Sequence, residues 1–237
     1  MIGYSSKYRS TQAEIMDDFN LQGKEMEILL SDLRKVNKWL GGFKITVNGI
    51  QQLLEGIPTN KAITIVDLGC GDGAQLRECA LWAKEKKRNI SFIGIDANKH
   101  ILEIAAQRSS QFSNIRYEQL DVFSDIKKLP PSDIVLSTLF LHHFSGEQIV
   151  ALMNTITKIA KLGIVINDLH RSRWAFQLFK LFSNVILKTK IARHDGLVSV
   201  ARAFKRNELL QLSQHINGAH KIKWKWAFRY QWIIKTI

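Results

Sequence analysis

Residues 63 to 73 read Ile-Thr-Ile-Val-Asp-Leu-Gly-Cys-Gly-Asp-Gly, a short apolar run that passes directly into a glycine-rich turn. The β-branched residues of its first half predict a buried strand over residues 63–68. Glycine tolerates positive φ and carries no Cβ, so the turn at 69–73 allows a flat ligand to lie against its backbone amides. In an open α/β sheet, a turn after the first strand lies at the edge where ligands bind. The stretch therefore predicts a nucleoside-binding loop.

Around this loop, strand-like and helix-like segments alternate. Further strands are predicted at residues 91–96, 115–119, 133–138 and 163–167, with helices at about 73–87, 98–110 and 146–160. This alternation predicts a parallel sheet covered by helices on both faces. The runs 220–227 and 229–236 are too close together for a crossover, so they predict an antiparallel hairpin at the sheet edge. The predicted fold class is α/β, with a Rossmann-like, mostly parallel sheet.

Helical additions are predicted at both ends of this sheet. Helical apolar spacing over residues 12–40 and a helix at about 46–56 predict that residues 1–58 form an N-terminal cap. Residues 59–237 are then the main domain, with a helical insertion at about 171–215. Within the insertion, an apolar stripe, called here the insertion stripe, consists of Trp174, Leu178, Leu181 and Val185. It predicts a lid packed on the cap, a wall of a lipophilic pocket, or a helix at a membrane interface.

Composition is that of an ordinary globular protein, with 46% hydrophobic and 23% charged residues in 237. Cys70 and Cys79 are poorly spaced for a disulfide, which indicates a reducing compartment. No targeting segment or membrane span is evident, so we expect a cytoplasmic protein with at most peripheral membrane contact. The net charge is +13, and residues 171–237 hold 14 basic and 2 acidic side chains. Such a basic region can bind nucleic acid or anionic lipid, or can be a solvated face.

Two aspartates follow the next two predicted strands. Asp96 ends the second strand, where a carboxylate can accept hydrogen bonds from both ribose hydroxyls. Asp121 ends the third strand, where it can accept from an adenine amino group while the amide of Val122 donates to the ring. Either aspartate alone can be a helix cap. Together with the glycine loop, the two predict a bound nucleoside.

With these motifs in this order, residues 60–170 resemble the class I methyltransferases that depend on S-adenosylmethionine (SAM). The signature Asp/Glu-x-Gly-x-Gly-x-Gly is present as Asp67, Gly69, Gly71 and Gly73. The resemblance implies SAM as the cofactor and a seven-stranded sheet with one antiparallel edge strand. The implied cofactor contacts are Asp67, Gly69, Cys70, Gly71 and Gly73 in the loop, Asp96 and Ala97 at the ribose, Asp121 and Val122 at the adenine, and Thr138 and Leu139 after the fourth strand.

Two other function classes share part of this pattern. A nicotinamide-dependent oxidoreductase would need glycine at position 74, where Ala74 stands, although alanine is sometimes accepted there. Asp67 and Asp121 favour SAM. An RNA methyltransferase is suggested by the basic C-terminal quarter with Trp224 and Trp226. The fourth-strand segment lacks the Asn-Pro-Pro-Tyr and Pro-Cys motifs of nucleic-acid enzymes, and no RNA-binding domain is appended, so nucleic acid is disfavoured.

Candidate catalytic residues follow the fourth and fifth strands: His142, His143, Asp168 and His170. Methyl transfer requires alignment of the nucleophile and, for a hydroxyl, removal of a proton. Imidazole is a base near neutral pH, although a histidine pair in such a loop often caps or packs instead. Asp168 and His170 can polarise one another, bind substrate or join a histidine at a metal. Because no His-x-His or His-x-x-x-His element is present, we predict no metal.

The resemblance is to small-molecule members, including the ubiquinone and menaquinone type, whose corresponding segment often reads Leu-His-His. A narrower resemblance, at residues 14–18, 37–42, 167–171 and 195–204, is to a bacterial subgroup associated with polyketide and aryl-pigment biosynthesis. It implies a hydroxylated aromatic or polyketide-like acceptor, with O-methylation favoured. The predicted substrate-binding residues are Trp39, Arg171, Trp174 and Arg202, and Gly41 is a further pocket residue.

Overall fold

The computed structural model describes residues 2–18 and 22–236. Within these residues the chain forms eight α-helices and one seven-stranded sheet. The helices are α1 Gly23–Trp39, α2 Gly42–Leu53, α3 Ala74–Glu85, α4 Lys99–Arg108, α5 Gly146–Ile156, α6 Arg173–Ile186, α7 Lys190–Arg202 and α8 Arg206–Ser213. The strands are β1 Ile63–Leu68, β2 Ile90–Asp96, β3 Ile115–Gln119, β4 Ser132–Thr138, β5 Ala160–Leu169, β6 Ala219–Lys225 and β7 Arg229–Lys235.

The strand order is β3-β2-β1-β4-β5-β7-β6. Strands β1 to β5 are parallel, and β7 runs antiparallel to both β5 and β6. The predicted fold class is therefore confirmed. Because β1 pairs with β2 on one side and β4 on the other, the strand order reverses at β1. This reversal opens a crevice at the carboxyl ends of the strands, which is where ligands of such sheets bind.

The N-terminal region differs from its predicted helices. The segment expected to be helical over residues 12–40 has a 3-10 helix at Ile15–Asp17 and then α1, and residues 19–21 lie outside the described residues. The second helix, α2, begins at Gly42 rather than near residue 46, since Gly41 adopts a left-handed conformation with φ of 69° that starts a new helix. Residue 1 of the predicted cap and residue 237 of the main domain also lie outside the described residues.

Helix α2 packs directly on the sheet. A Cβ at Gly49 would lie 2.4 Å from a methyl carbon of Val165 on β5, so only glycine permits this approach. Ile50 and Leu53 of α2 belong to the same buried cluster as Ile65 of β1. The predicted cap at residues 1–58 thus shares its core with the main domain.

The insertion contains α6, α7 and α8. One face of α6 packs inward, with Phe179 and Ile186 in a cluster around Leu29 of α1. The insertion stripe lies elsewhere: Trp174 is 74% exposed and Val185 is 87% exposed. The sequence pattern predicted the apolar stripe of α6 but not its exposure. The face of α6 that packs inward is a second apolar face, the one that carries Phe179 and Ile186. Among the described residues, no helix is long and apolar enough to cross a bilayer.

Candidate active site

The crevice at the carboxyl ends of the strands is a cavity of about 680 Å³. Sites for small molecules occupy volumes of this order. The lining includes Gly69 and Gly71 of the glycine loop, Asp96 and Asp121, and also His142 and His143. The fold therefore brings the predicted nucleoside-binding residues and the predicted histidines to one cavity.

The glycine loop is held in a shape that exposes its backbone. Gly69 and Gly71 have φ of 64° and 52°, and nothing lies within 4 Å of a Cβ built at Gly71. The Asp96 carboxylate at the end of β2 accepts hydrogen bonds of 3.0 Å from the Gly71 and Asn98 amides. Burial raises the pKa of Asp96, although these amides oppose the shift. An open cradle beside a braced carboxylate fits a nucleoside ligand.

The predicted cofactor residues divide into two groups. Those that line the cavity are Gly69, Gly71, Asp96, Ala97, Asp121, Val122 and Leu139. Those that are not among its lining residues are Asp67, Cys70, Gly73 and Thr138. Asp67 and Cys70 are buried, and the Thr138 hydroxyl lies 3.2 Å from that of Thr46 on α2. Any contribution of this second group to ligand binding is therefore through the shape of the loop and of the strand ends.

His142 is buried between two carboxylates. Its Nδ1 lies 2.7 Å from Oδ1 of Asp168, and its Nε2 lies 3.3 Å from Oε1 of Glu14. Burial by itself lowers the pKa of His142, but the Asp168 and Glu14 carboxylates outweigh it and raise the pKa to about 9. The His142 side chain is therefore protonated near neutral pH and has both ring nitrogens engaged. Such a group holds its neighbours in position more readily than it accepts a proton.

His143 is the more accessible of the two histidines. Its side chain is 17% exposed, compared with 2% for His142, and it lines the cavity. Its Nδ1 lies 3.2 Å from Oδ1 of Asp17, and its Nε2 lies 3.9 Å from Oε1 of Glu14. A carboxylate on one ring nitrogen orients an imidazole so that the other nitrogen can act on a ligand.

Glu14 and Asp17 come from the N-terminal segment, and sequence reasoning did not select them as site residues. The Asp195 carboxylate on α7 fastens this segment by accepting from the amides of Ile15 at 2.8 Å and Met16 at 2.9 Å. Ser199, one helical turn further along α7, donates to Oε1 of Glu14 at 2.7 Å. The available signal was the narrower resemblance, which included residues 14–18 and 195–204 but assigned no role to these side chains.

The family model that matches the sequence is described as a methyltransferase domain, and it covers residues 59–214. The chain belongs to the methyltransferase domain family. The match extends from just before β1 to the end of α8, so it includes the glycine loop, Asp96 and the histidine pair. The search of curated proteins found no match for this methyltransferase.

Solved structures of other methyltransferases share its fold. The plantazolicin methyltransferase BpumL in complex with SAH aligns with a TM-score of 0.65 at 13% identity, over 88% of this chain and 89% of that one. Human N-acetylserotonin methyltransferase in complex with SAM gives 0.64 at 16% identity, over 96% of this chain but 63% of the human one. Magnesium protoporphyrin IX methyltransferase from Synechocystis PCC 6803 with bound SAH gives 0.53 at 15% identity, over 84% and 85%.

Two arginines of the methyltransferase that were predicted to bind substrate are used inside the fold. Arg171 is 1% exposed, and its guanidinium bonds Glu208 and the carbonyl of Ala203. Arg202 donates to the backbone carbonyls of His142 and Gln12. It thereby braces the N-terminal segment and the single 3-10 turn Leu141–His143, called here the histidine turn. Neither arginine is among the residues lining the cavity. Most of their donors already have protein acceptors, so these contacts do not support the predicted substrate-binding role of either arginine.

Three other predictions have different outcomes. Trp174 is exposed and is not among the residues lining the cavity, which does not support its predicted pocket role, whereas Trp39 does line the cavity. Mutual polarisation, one of the three alternatives given for Asp168 and His170, is not among their described contacts. Asp168 pairs with His142, and Nδ1 of His170 lies 3.3 Å from the indole nitrogen of Trp224.

Three of the site residues are close enough together to be considered as ligands of a metal ion. Glu14, His142 and His143 place one ligand-type atom each within 4.8 Å of one another. A metal ligand must be deprotonated, whereas the carboxylates raise the pKa of His142 to about 9. The hydrogen bonds from His142 and Ser199 also occupy the Glu14 carboxylate. These contacts favour a hydrogen-bonded network over a metal centre.

Asp67, the buried aspartate that precedes the glycine loop, is expected to make the stability of this methyltransferase depend on pH. Burial and the Asp96 carboxylate raise the pKa of Asp67 from 3.8 to about 7. The folded protein then binds more protons at this site than the unfolded chain between these pH values, so stability falls as pH rises through that range. We expect the free energy of unfolding of the wild type, relative to Asp67→Asn, to fall by up to about 4 kcal/mol between pH 4 and 7.

Urea denaturation at several pH values measures this difference. Asp133→Asn serves as the control, since Asp133 is a carboxylate near the other end of the sheet that accepts from the Thr64 amide at 2.8 Å. Its variant should retain the wild-type slope over the same range. Parallel curves for the wild type and Asp67→Asn would show that Asp67 is ionised in the folded protein at low pH.

Proposed function

We propose that this chain is a SAM-dependent methyltransferase that methylates a hydroxyl group of a small aromatic or polyketide-like acceptor. The observation that carries the proposal is the position of His143, which lines the same cavity as the glycine loop and has a carboxylate partner on its Nδ1. Such a group can remove a hydroxyl proton as the methyl group is transferred.

The residues present fit SAM. Gly71 leaves open space for a ligand, and Asp96 lies beside it with its carboxylate braced by backbone amides. When bound, SAM supplies a methyl group on a positively charged sulfur. In our proposal Gly69 and Gly71 hold its methionine part, Asp96 and Ala97 its ribose, and Asp121 with Val122 its adenine. Leu139, which also lines the cavity, has a positive φ of 54° and is held by a 2.9 Å bond from its amide to the Asn167 carbonyl.

Roles are proposed for three ionisable groups that line the cavity, His143, Asp17 and His142. His143 is the general base, and Asp17 orients it. His142 is a positioning residue: as a buried imidazolium between Asp168 and Glu14 it fixes the turn that carries His143. The rings of the two histidines lie 4.4 Å apart, centre to centre, so a shift of one moves the other.

An aromatic acceptor suits the chemistry of the cavity walls. Phe140, Phe179, Phe182, Trp39 and Trp226 all line the cavity. Aromatic side chains recognise flat apolar molecules by stacked or edge-to-face contacts. The folds of similar shape include enzymes that act on plantazolicin and N-acetylserotonin, which is consistent with a small acceptor but does not identify it. The basic surface of residues 171–237 keeps RNA as the alternative acceptor.

Two measurements test the proposal. Calorimetry should detect binding of SAM with a dissociation constant in the micromolar range. Methyl transfer from labelled SAM should occur to members of a panel of dihydroxylated aromatics and polyketide-like phenols, and a chelator should leave the rate unchanged. Preferential binding of a nicotinamide dinucleotide would contradict the proposal that SAM is the methyl donor. Methylation of bulk tRNA without methylation of any phenol would contradict the proposal that the acceptor is a small aromatic molecule. Loss of activity with the chelator would contradict the interpretation of Glu14, His142 and His143 as a hydrogen-bonded network without a metal.

A further inference from the structure

Helix α6 has three distinct faces. Ala175, Phe176 and Ser183 are buried, whereas Gln177, Lys180 and Asn184 are exposed polar residues. The insertion stripe lies between these two faces, and at 100° per residue its four members stand within about 60° of one another around the helix. A surface helix normally turns one apolar stripe inward and its polar residues outward. Here an apolar face packs inward and a second apolar face points to solvent.

The exposed face is large. Trp174, Leu181 and Val185 are 74%, 66% and 87% exposed, and the adjacent Phe182 is 51% exposed. Isolated apolar residues on a surface are normal, but several on one helix face indicate a binding surface. Tryptophan and aliphatic side chains together on an exposed helix are typical of helices that lie in a membrane interface.

The mouth of the cavity opens next to this face. Leu178 and Phe182 belong to α6 and also line the cavity. Elsewhere in the lining, Trp39 at the end of α1 and Trp226 in the β6–β7 turn are 65% and 70% exposed. Trp39, Trp226, Leu178 and Phe182 are therefore both exposed and part of the cavity lining, and Leu178 also belongs to the insertion stripe.

The charged side chains of the segment that carries this face are of one sign. Residues 171–194 contain six basic side chains and no acidic one. Arg173, Lys180, Lys188 and Lys190 are exposed, and Lys38 is exposed beside Trp39. In a symmetric dimer built on this face, α6 would meet its own copy and bring these cations together. An anionic partner with an apolar interior suits the surface better, and a bilayer with acidic headgroups has both properties.

We propose that the insertion stripe, Phe182, Trp39 and Trp226 dock onto an anionic lipid bilayer, with the cavity mouth facing the membrane. The apolar side chains enter the headgroup region, and the lysines and arginines beside them contact acidic headgroups. A lipophilic acceptor dissolved in the bilayer then reaches the cavity without crossing water. The docking surface itself does not depend on the proposed methyl transfer.

Vesicle flotation tests this proposal on the full chain without SAM or acceptor. The vesicles are phosphatidylcholine with about 30% phosphatidylglycerol, and phosphatidylcholine alone is the comparison. We expect the wild type to bind the anionic vesicles preferentially and to be released by high salt. The variant Leu181→Ser/Val185→Ser should bind about tenfold more weakly or worse, because it loses two aliphatic side chains from the interface. Lys180→Gln/Lys188→Gln should weaken binding to anionic vesicles only.

Matched controls replace equivalent residues on other faces. Leu81→Ser/Leu210→Ser removes exposed leucines of α3 and α8, and Lys84→Gln/Lys99→Gln removes exposed lysines of α3 and α4. Both controls should bind vesicles as the wild type does. Calorimetric SAM binding and light scattering on every variant report the folded site and the oligomeric state.

Three outcomes overturn the proposal. The first is a wild type that floats with neither kind of vesicle. The second is equal flotation of the Leu181→Ser/Val185→Ser variant and its control. The third is a wild-type dimer that this variant converts to a monomer without any vesicle binding, which would assign the face to a second copy of the chain. Failure of SAM binding in the wild type would instead contradict the proposed function and leave the flotation result interpretable.

Discussion

Replacing His143 by alanine is expected to lower kcat for a phenolic acceptor by about 100-fold or more, with little change in SAM affinity. General-base catalysis contributes about 10² to 10⁴ in rate, and His143 lines the cavity and has Asp17 on its Nδ1. His142 cannot replace it, because the carboxylates of Asp168 and Glu14 raise its pKa to about 9 and occupy both ring nitrogens.

Single-turnover methyl transfer at saturating SAM, with calorimetry of SAM binding, separates the two effects. Added imidazole should restore part of the rate of His143→Ala, which a purely structural loss would not allow. His100→Ala is the matched control, since His100 is an exposed histidine on α4 whose ring is paired only with Glu103 among the contacts described. Full activity of His143→Ala would remove the histidine base and would favour an acceptor that needs no proton removal.

The largest effect on stability is expected at Asp168. The variant Asp168→Asn should lower the free energy of unfolding by about 3–5 kcal/mol near neutral pH, which is the usual cost of leaving a buried charge without its partner. Asp168 is 2% exposed and lies 2.7 Å from Nδ1 of His142. It also accepts from the amides of Leu169 at 2.7 Å and His142 at 3.2 Å, so the substitution disturbs the strand end as well.

The pH dependence identifies the ion pair as the cause. The pKa of His142 is raised from 6.5 to about 9 in the folded protein. Its stabilising contribution is therefore fully present below pH 6.5 and is lost as pH rises through about 9. Unfolding in urea at pH 6.5, 7.5 and 9 should show the gap between wild type and Asp168→Asn narrowing as pH rises.

Asp125→Asn is the control for this measurement, since Asp125 pairs with Lys128 at the surface and should contribute little. A gap between wild type and Asp168→Asn of under about 1 kcal/mol at every pH would show that His142 is neutral in the folded protein. That result would support the hypothesis that Glu14, His142 and His143 bind a metal ion, because a neutral imidazole can bind a metal.

The expected loss of activity at His143 and the expected loss of stability at Asp168 are linked through the N-terminal segment. Glu14 contacts His142, and Asp17 contacts His143, while Asp195 on α7 fastens the segment between them. A change at any of these carboxylates therefore alters the position of the histidine turn. Residues that touch no ligand thus help to set the geometry of the site.

Much of the fold could be predicted from the sequence by itself. The strands, the glycine loop, Asp96 at the end of β2 and Asp121 just beyond β3 are predictable because their signals are local: β-branched runs, glycines that need positive φ, and a polar residue where a strand stops. The parallel sheet followed from the alternation of these signals, and the match to the methyltransferase domain family confirms the class. The boundary of α2 was wrong because one glycine, Gly41, starts the helix early.

Only the tertiary structure decided which side chains meet across the cavity. Glu14 lies 128 positions from His142 in the chain, and Asp195 lies 180 from Ile15, so no local pattern reports these contacts. Arg171 and Arg202 looked available for substrate, yet packing supplies each with protein acceptors. The insertion stripe was visible in the sequence, but its exposure depends on which face of α6 meets α1. The glycine loop can be predicted from a local stretch of sequence. The histidine site of the same cavity is assembled from distant segments by packing.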